Sequence, residues 1–90
     1  MKNIEALKTY LTSRLPGVDI YLFGSRAKGK ETPYSDVDIA IKSSDLNPKD
    51  LAWIRFMIEE SNFPFKVDLI DLSKAPYLGE IIEKEGIRWQ

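Results

Sequence analysis

The stretch Asp36-Val37-Asp38-Ile39-Ala40-Ile41 alternates strictly between polar or small residues and branched apolar ones. Successive side chains of a β-strand point to opposite faces. Val37, Ile39 and Ile41 therefore share one face, and Asp36, Asp38 and Ala40 share the other. The apolar face demands a packed layer, while the same strand carries two carboxylates, one pleat apart, on its other face. A fold for this chain must bury the first face and find a use or a solvent exit for the second.

The neighbouring segments supply the cover. Ile4, Leu7, Leu11 and Leu15 recur at helical spacing, so residues 2–15 read as an amphipathic helix that Pro16-Gly17 ends. Residues 18–23 alternate as a first strand. A turn at 24–29 (GSRAKG), with room for one helical turn, and a polar loop at 30–35 lead to the second strand at 36–41. Asn47 caps a helix with Pro48 at its first position, and Leu51, Ile54, Met57 and Ile58 form its core face. Residues 65–71 read as a third strand. Ser73 and Pro76 open a last helix with Ile81 and Ile82 inward and Gly86 at its end. The tail, residues 87–90, adds a short extended segment. The order α-β-β-α-β-α over one domain, residues 1–90, predicts an α+β fold with a small mixed sheet and helices on one side. A chain of this length buries roughly two thirds of its unfolded surface, so the core is small.

Two absences narrow the chemistry. The sequence has no cysteine, hence no disulfide, zinc-thiolate site or thiol nucleophile, and no histidine, hence no Ser-His-Asp relay or imidazole base. Chemistry must rest on carboxylates, hydroxyls, Lys and Arg. A net charge of −1 gives no broad phosphate-binding surface, so bulk nucleic-acid binding is not expected. The N-terminus mixes charges into its apolar residues, and no apolar run approaches the roughly 18 residues of a membrane span; a cytoplasmic protein is expected.

The acidic residues are then the place to look. A lone D-x-D is common and is more often a solvent-facing strand than a metal site. Asp68 changes this, because it interrupts the apolar run Phe65, Val67, Leu69, Ile70. If the second and third strands are neighbours, Asp68 lies beside Asp36 and Asp38, and three carboxylates at one point call for a hard cation such as Mg²⁺ or Mn²⁺. Asp71, three residues on, points to the other face and reads as a strand-end residue. Gly24 and Ser25 follow the first strand directly. Gly lets a backbone approach a phosphate, and Ser adds a hydroxyl donor. Lys28 and Lys30 read as solvated loop charges.

Gly24-Ser25, ten intervening residues, then Asp36-Val37-Asp38, with Asp68 on a later strand, resembles the signature of the DNA polymerase β-like nucleotidyltransferases. The segments LFGSRAKG and SDVDIAI resemble those of the minimal nucleotidyltransferases, the MNT proteins. The resemblance implies that Asp36 and Asp38 bind two magnesium ions and that Asp68 binds the one that activates the acceptor hydroxyl. It also implies that Gly24 and Ser25 hold the β- and γ-phosphates of ATP, with Arg26 assisting. MNT proteins are often antitoxins that transfer AMP from ATP to a tyrosine of a helical HEPN toxin, so the resemblance implies that partner too. An open site on a chain this short points to a protein as acceptor rather than a small molecule. A non-catalytic module that silences a partner by covering it is the alternative of another class. A homodimer or a hetero-oligomer with the toxin is compatible with the sequence.

Overall fold

The computed structural model describes residues 1–43 and 45–90. Helix α1 (Ile4–Arg14) starts where Asn3, in extended conformation, accepts a hydrogen bond from the Ala6 N–H at 2.8 Å. That cap satisfies one of the first-turn donors left without a helical partner. Strand β1 (Asp19–Phe23) follows and pairs antiparallel with β2 (Val37–Lys42). Asn47 caps α2 (Pro48–Glu60) by accepting from the Lys49 N–H at 2.9 Å, with Pro48 at the first helical position. Strand β3 (Val67–Asp71) then returns parallel to β2, the pairing that needs an intervening helix to carry the chain back. A 3₁₀ turn (Pro76–Leu78) runs into α3 (Gly79–Glu85), and β4 (Ile87–Arg88) pairs with β1.

The sheet is four-stranded in the order β3-β2-β1-β4. α1 and α2 share one face. Leu7, Leu11 and Leu15 from α1 and its end, with Leu51, Ile54 and Ile58 from α2, close on Ile20, Leu22, Val37, Ile39, Ile41 and Leu69. This is the apolar face that the alternation of β2 demands. The short α3 sits on the other face, where Ile82 and Leu72 pack on Ala40, flanked by Tyr21 and Phe23. It covers the end of that face away from Asp36 and leaves the acidic end open.

Only one of the two adjacent isoleucines of α3 turns inward. Ile82 is buried, whereas Ile81, expected inward, is half exposed. Neighbours on a helix are about 100° apart, so a helix this short presents one narrow stripe to the sheet. Met57 lies at the margin of the α2 stripe and is only partly buried. The tail is anchored: Trp89 N–H donates to Ile20 O at 2.8 Å, and Gln90 Nε2 donates to Val18 O at 2.8 Å. Among the described residues no helix is long and apolar enough to cross a membrane.

Candidate active site

The site is built by strand register. In the parallel pair, Asp38 of β2 stands directly opposite Asp68 of β3, as Ala40 stands opposite Ile70. Both aspartates are on the face away from α1 and α2. Asp36 is exposed and lies one residue before β2, beside the Val37 N–H, which donates to Lys66 O at 2.8 Å. Asp68 is exposed and Asp38 half-buried. Burial first, and then the negative charges of Asp68 and Asp36, push the Asp38 carboxyl above its ordinary value. Among the described residues no Lys or Arg forms an ion pair with these three carboxylates.

The other wall comes from the end of β1. Phe23 pairs with Asp38, so the next residue, Gly24, lies against the Asp38 side chain. Gly24 has φ +76°, and a Cβ there would collide with the Asp38 carboxylate and stand 3.2 Å from its Cγ. Glycine is required twice, for the left-handed turn and for the close approach. Residues 24–29 form a series of turns: Ala27 N–H donates to Gly24 O at 3.1 Å, and Lys30 N–H donates to Ser25 O at 2.9 Å. Among the described residues the Ser25 and Arg26 amides donate to no protein acceptor, so two N–H groups and the Ser25 hydroxyl border the acidic end of the sheet.

Among the described residues no group of three His, Cys, Asp or Glu side chains is placed to hold a metal ion by itself. The donor set nevertheless suits magnesium. All donors are hard oxygens, and Mg²⁺ takes one or two carboxylates and completes its shell with substrate phosphates and water, so a closed protein cage is not its usual site. The missing side chain at Gly24 lets the turn close directly on the Asp38 carboxylate, so the free amides of the turn and the carboxylates lie at the same end of the sheet.

The remaining candidates divide. Arg26, expected on the triphosphate, donates from Nε and Nη2 to Ser35 O at 3.3 and 3.0 Å, and its guanidinium lies 4.1 Å from the Phe65 ring centroid. Neither Ser35 nor Phe65 was legible as a site neighbour, because nothing in spacing announces a carbonyl acceptor or a ring contact across the sheet. Asp71 ends β3 as a turn residue, accepting from the Ser73 N–H and hydroxyl at 2.9 and 2.7 Å. Lys30 is exposed, but Lys28, read as a solvated charge, pairs with Glu85 of α3 at 2.9 Å. Both partners are over two-fifths exposed, which limits such a pair to less than about 1 kcal/mol. Glu85→Gln is therefore expected to change thermal stability by about 0.5 kcal/mol or less and to leave nucleotide chemistry unchanged, as unfolding curves and a transfer assay would show.

Comparison with known proteins places the chain in a family. Residues 5–88 match the family described as Polymerase beta, Nucleotidyltransferase. The chain is 37% identical over 87 residues to the probable protein adenylyltransferase MntA of Haemophilus influenzae, covering 92% of this chain and 75% of that protein. A crystal structure of a toxin-antitoxin with AMP-PNP superposes with a TM-score of 0.77 at 27% identity, covering 98% of this chain and 73% of that one. A structure of tri-AMPylated Shewanella oneidensis HEPN toxin in complex with MNT antitoxin gives a TM-score of 0.68 at 25% identity, covering 96% and 67%. With nearly its whole length matched, the chain belongs to the polymerase β nucleotidyltransferase family.

Proposed function

We propose that this chain transfers AMP from ATP to a tyrosine hydroxyl of a HEPN-type partner toxin, with Mg²⁺, and so acts as an antitoxin. The observation that carries the reading is the register that sets Asp38 opposite Asp68, against the glycine turn at the end of β1. The relatives supply the nucleotide and the partner: one is named a protein adenylyltransferase, one structure is a toxin-antitoxin with AMP-PNP, and another holds an AMPylated HEPN toxin.

Asp36 and Asp38 would hold two magnesium ions, and Asp68 the one on the acceptor side; Mn²⁺ suits the same oxygens. When bound, magnesium neutralises the triphosphate and lowers the pKa of the attacking hydroxyl. The amides of Ser25 and Arg26 and the Ser25 hydroxyl face the β- and γ-phosphates and fix the chain of phosphates against Gly24. The acceptor oxygen then bonds to the α-phosphorus as the bond to pyrophosphate breaks. Asp68, exposed beside the pair, takes the hydroxyl proton. The protein contributes position and fixed charge, which is most of phosphoryl-transfer catalysis.

The test is co-expression with the candidate toxin, followed by incubation with labelled ATP and Mg²⁺ and intact-mass measurement. The toxin is expected to gain one or more AMP masses. A stable complex in which the toxin keeps its mass under every nucleotide would overturn transfer and favour silencing by coverage.

A further inference from the structure

We propose that Arg26 is a positioning residue that ties the glycine turn to the entries of the two aspartate-bearing strands. The inference rests on the nucleotidyl-transfer reading of the site. Arg26 belongs to the turn that holds Ser25, yet its two donating nitrogens reach Ser35 O, the carbonyl immediately before Asp36. Its guanidinium carbon lies over the Phe65 ring at 4.1 Å from the centroid, and Phe65 packs edge-on against Phe63 at 5.7 Å and against the main core. Phe65 precedes Lys66, whose carbonyl accepts from the Val37 N–H, and Asp68 follows two residues later. One side chain thus joins three segments: 24–26 with the phosphate-facing amides, 35–38 with Asp36 and Asp38, and 65–68 with Asp68.

Besides Arg26, the intervening loop is held by the exposed Lys28–Glu85 pair and by Ala27 against the main core. Its own bonds are local, such as Lys30 N–H to Ser25 O and Ser35 N–H to Thr32 O at 3.1 Å. Tyr34, near its tip, is 92% exposed. Arginine is suited to the task and lysine is not. A planar guanidinium can stack on a ring while donating two N–H groups to one carbonyl, whereas an ammonium is a point charge without a plane. The guanidinium is thereby engaged by Ser35 O and the Phe65 ring, so its effect on the reaction runs through the placement of Asp36, Asp38 and Ser25.

The test uses Arg26→Lys, Arg26→Ala and Phe65→Leu, and the Arg26→Ala/Phe65→Leu double variant, in the full chain with the co-expressed toxin. Displacements of order 1 Å at a reacting centre cost about 10²-fold. All three single variants are therefore expected to lower kcat by about 10- to 100-fold, with KM for ATP within about threefold of the parent. The double variant is expected to be no worse than Arg26→Ala, because both remove one contact. Hydrogen exchange in the free protein is expected to speed up at Val37 and Lys30 and to stay unchanged in α1. If Arg26→Ala instead raises KM for ATP by about tenfold or more, while Arg26→Lys and Phe65→Leu behave as the parent, Arg26 binds the triphosphate and the proposal fails. If the variants loosen exchange but keep the parent's kcat, the contact is structural only, and this proposal fails while the functional reading stands. If the parent itself transfers nothing, the functional reading fails, and the positioning role falls with it.

Discussion

Asp38→Asn is expected to lose AMP transfer by about three orders of magnitude while the free protein becomes no less stable. Charge stabilisation by a bound metal contributes several kcal/mol at the transition state, and each ~1.4 kcal/mol is tenfold in rate. A neutral amide is a poor ligand for Mg²⁺, so most of that stabilisation goes with the charge. Stability moves the other way. Asp38 is half-buried with Asp68 opposite and Asp36 nearby, and its carboxyl is pushed up first by burial and then by those charges. The folded chain therefore holds this proton more tightly than the unfolded chain. Stability falls as pH rises from the usual carboxylate range through the raised value, and above it the penalty is fully present. Two unit charges ~4 Å apart repel by about 1–4 kcal/mol between the water and near-surface limits, so the gain from Asn is expected near the lower figure. The advantage should be largest at neutral pH and vanish in acid, where both proteins are neutral at this position. Unfolding curves across pH in EDTA measure it. A variant about 1 kcal/mol or more less stable than the parent at neutral pH would make Asp38 a structural residue.

Gly24→Ala is expected to damage both stability and transfer, and the chain contains its own control. Gly17 and Gly24 have the same backbone angle, φ +76°, so an alanine at either meets the same left-handed strain, roughly 1–2 kcal/mol. At Gly17 nothing lies within 4 Å of the new Cβ, whereas at Gly24 the Cβ drives into the Asp38 carboxylate. Gly17→Ala is thus expected to cost about 1–2 kcal/mol and leave transfer unchanged. Gly24→Ala should cost at least about 1 kcal/mol more, because close-packed groups must shift to make room. It should also lower kcat by about 100-fold, because the group that must shift is the carboxylate proposed to hold the metals. Equal stability losses at the two glycines, with transfer intact in both, would remove Gly24 from the site.

The parts of this fold that the sequence states clearly are those where a period and a burial demand coincide. β2 is the clearest case: Val37, Ile39 and Ile41 are all completely buried, and Asp38 and Ala40 lie on the other face. Asn47-Pro48 likewise marks the start of α2 to the residue. The neighbour relation of β2 and β3 was a condition in the sequence and became a register only in three dimensions, because parallel partners are joined through α2 and no turn chemistry fixes their offset. The short α3 was harder: two adjacent isoleucines fit either of two faces, and only Ile82 found the sheet. Arg26 shows the limit at the site itself. Its place in a phosphate turn suggests a phosphate ligand, but the carbonyl and ring that engage it come from residues 35 and 65, and no local pattern links them.

The central claim is that Asp36, Asp38 and Asp68 act together as a metal-dependent nucleotide site. Thermal unfolding of the parent and the three single Asp→Asn variants tests it most directly, without the partner, in EDTA, in Mg²⁺, and in Mg²⁺ with AMP-PNP. Ligand that binds only the folded state stabilises it by RT ln(1 + [L]/Kd), about 2.7 kcal/mol at a hundredfold excess over Kd. The parent is expected to gain stability on this scale with Mg²⁺ and AMP-PNP together, and much less with Mg²⁺ alone. Each variant is expected to lose most of that gain, although none of them is destabilised in EDTA. A parent that melts at the same temperature in all three conditions, or variants that respond as the parent does, would contradict the account.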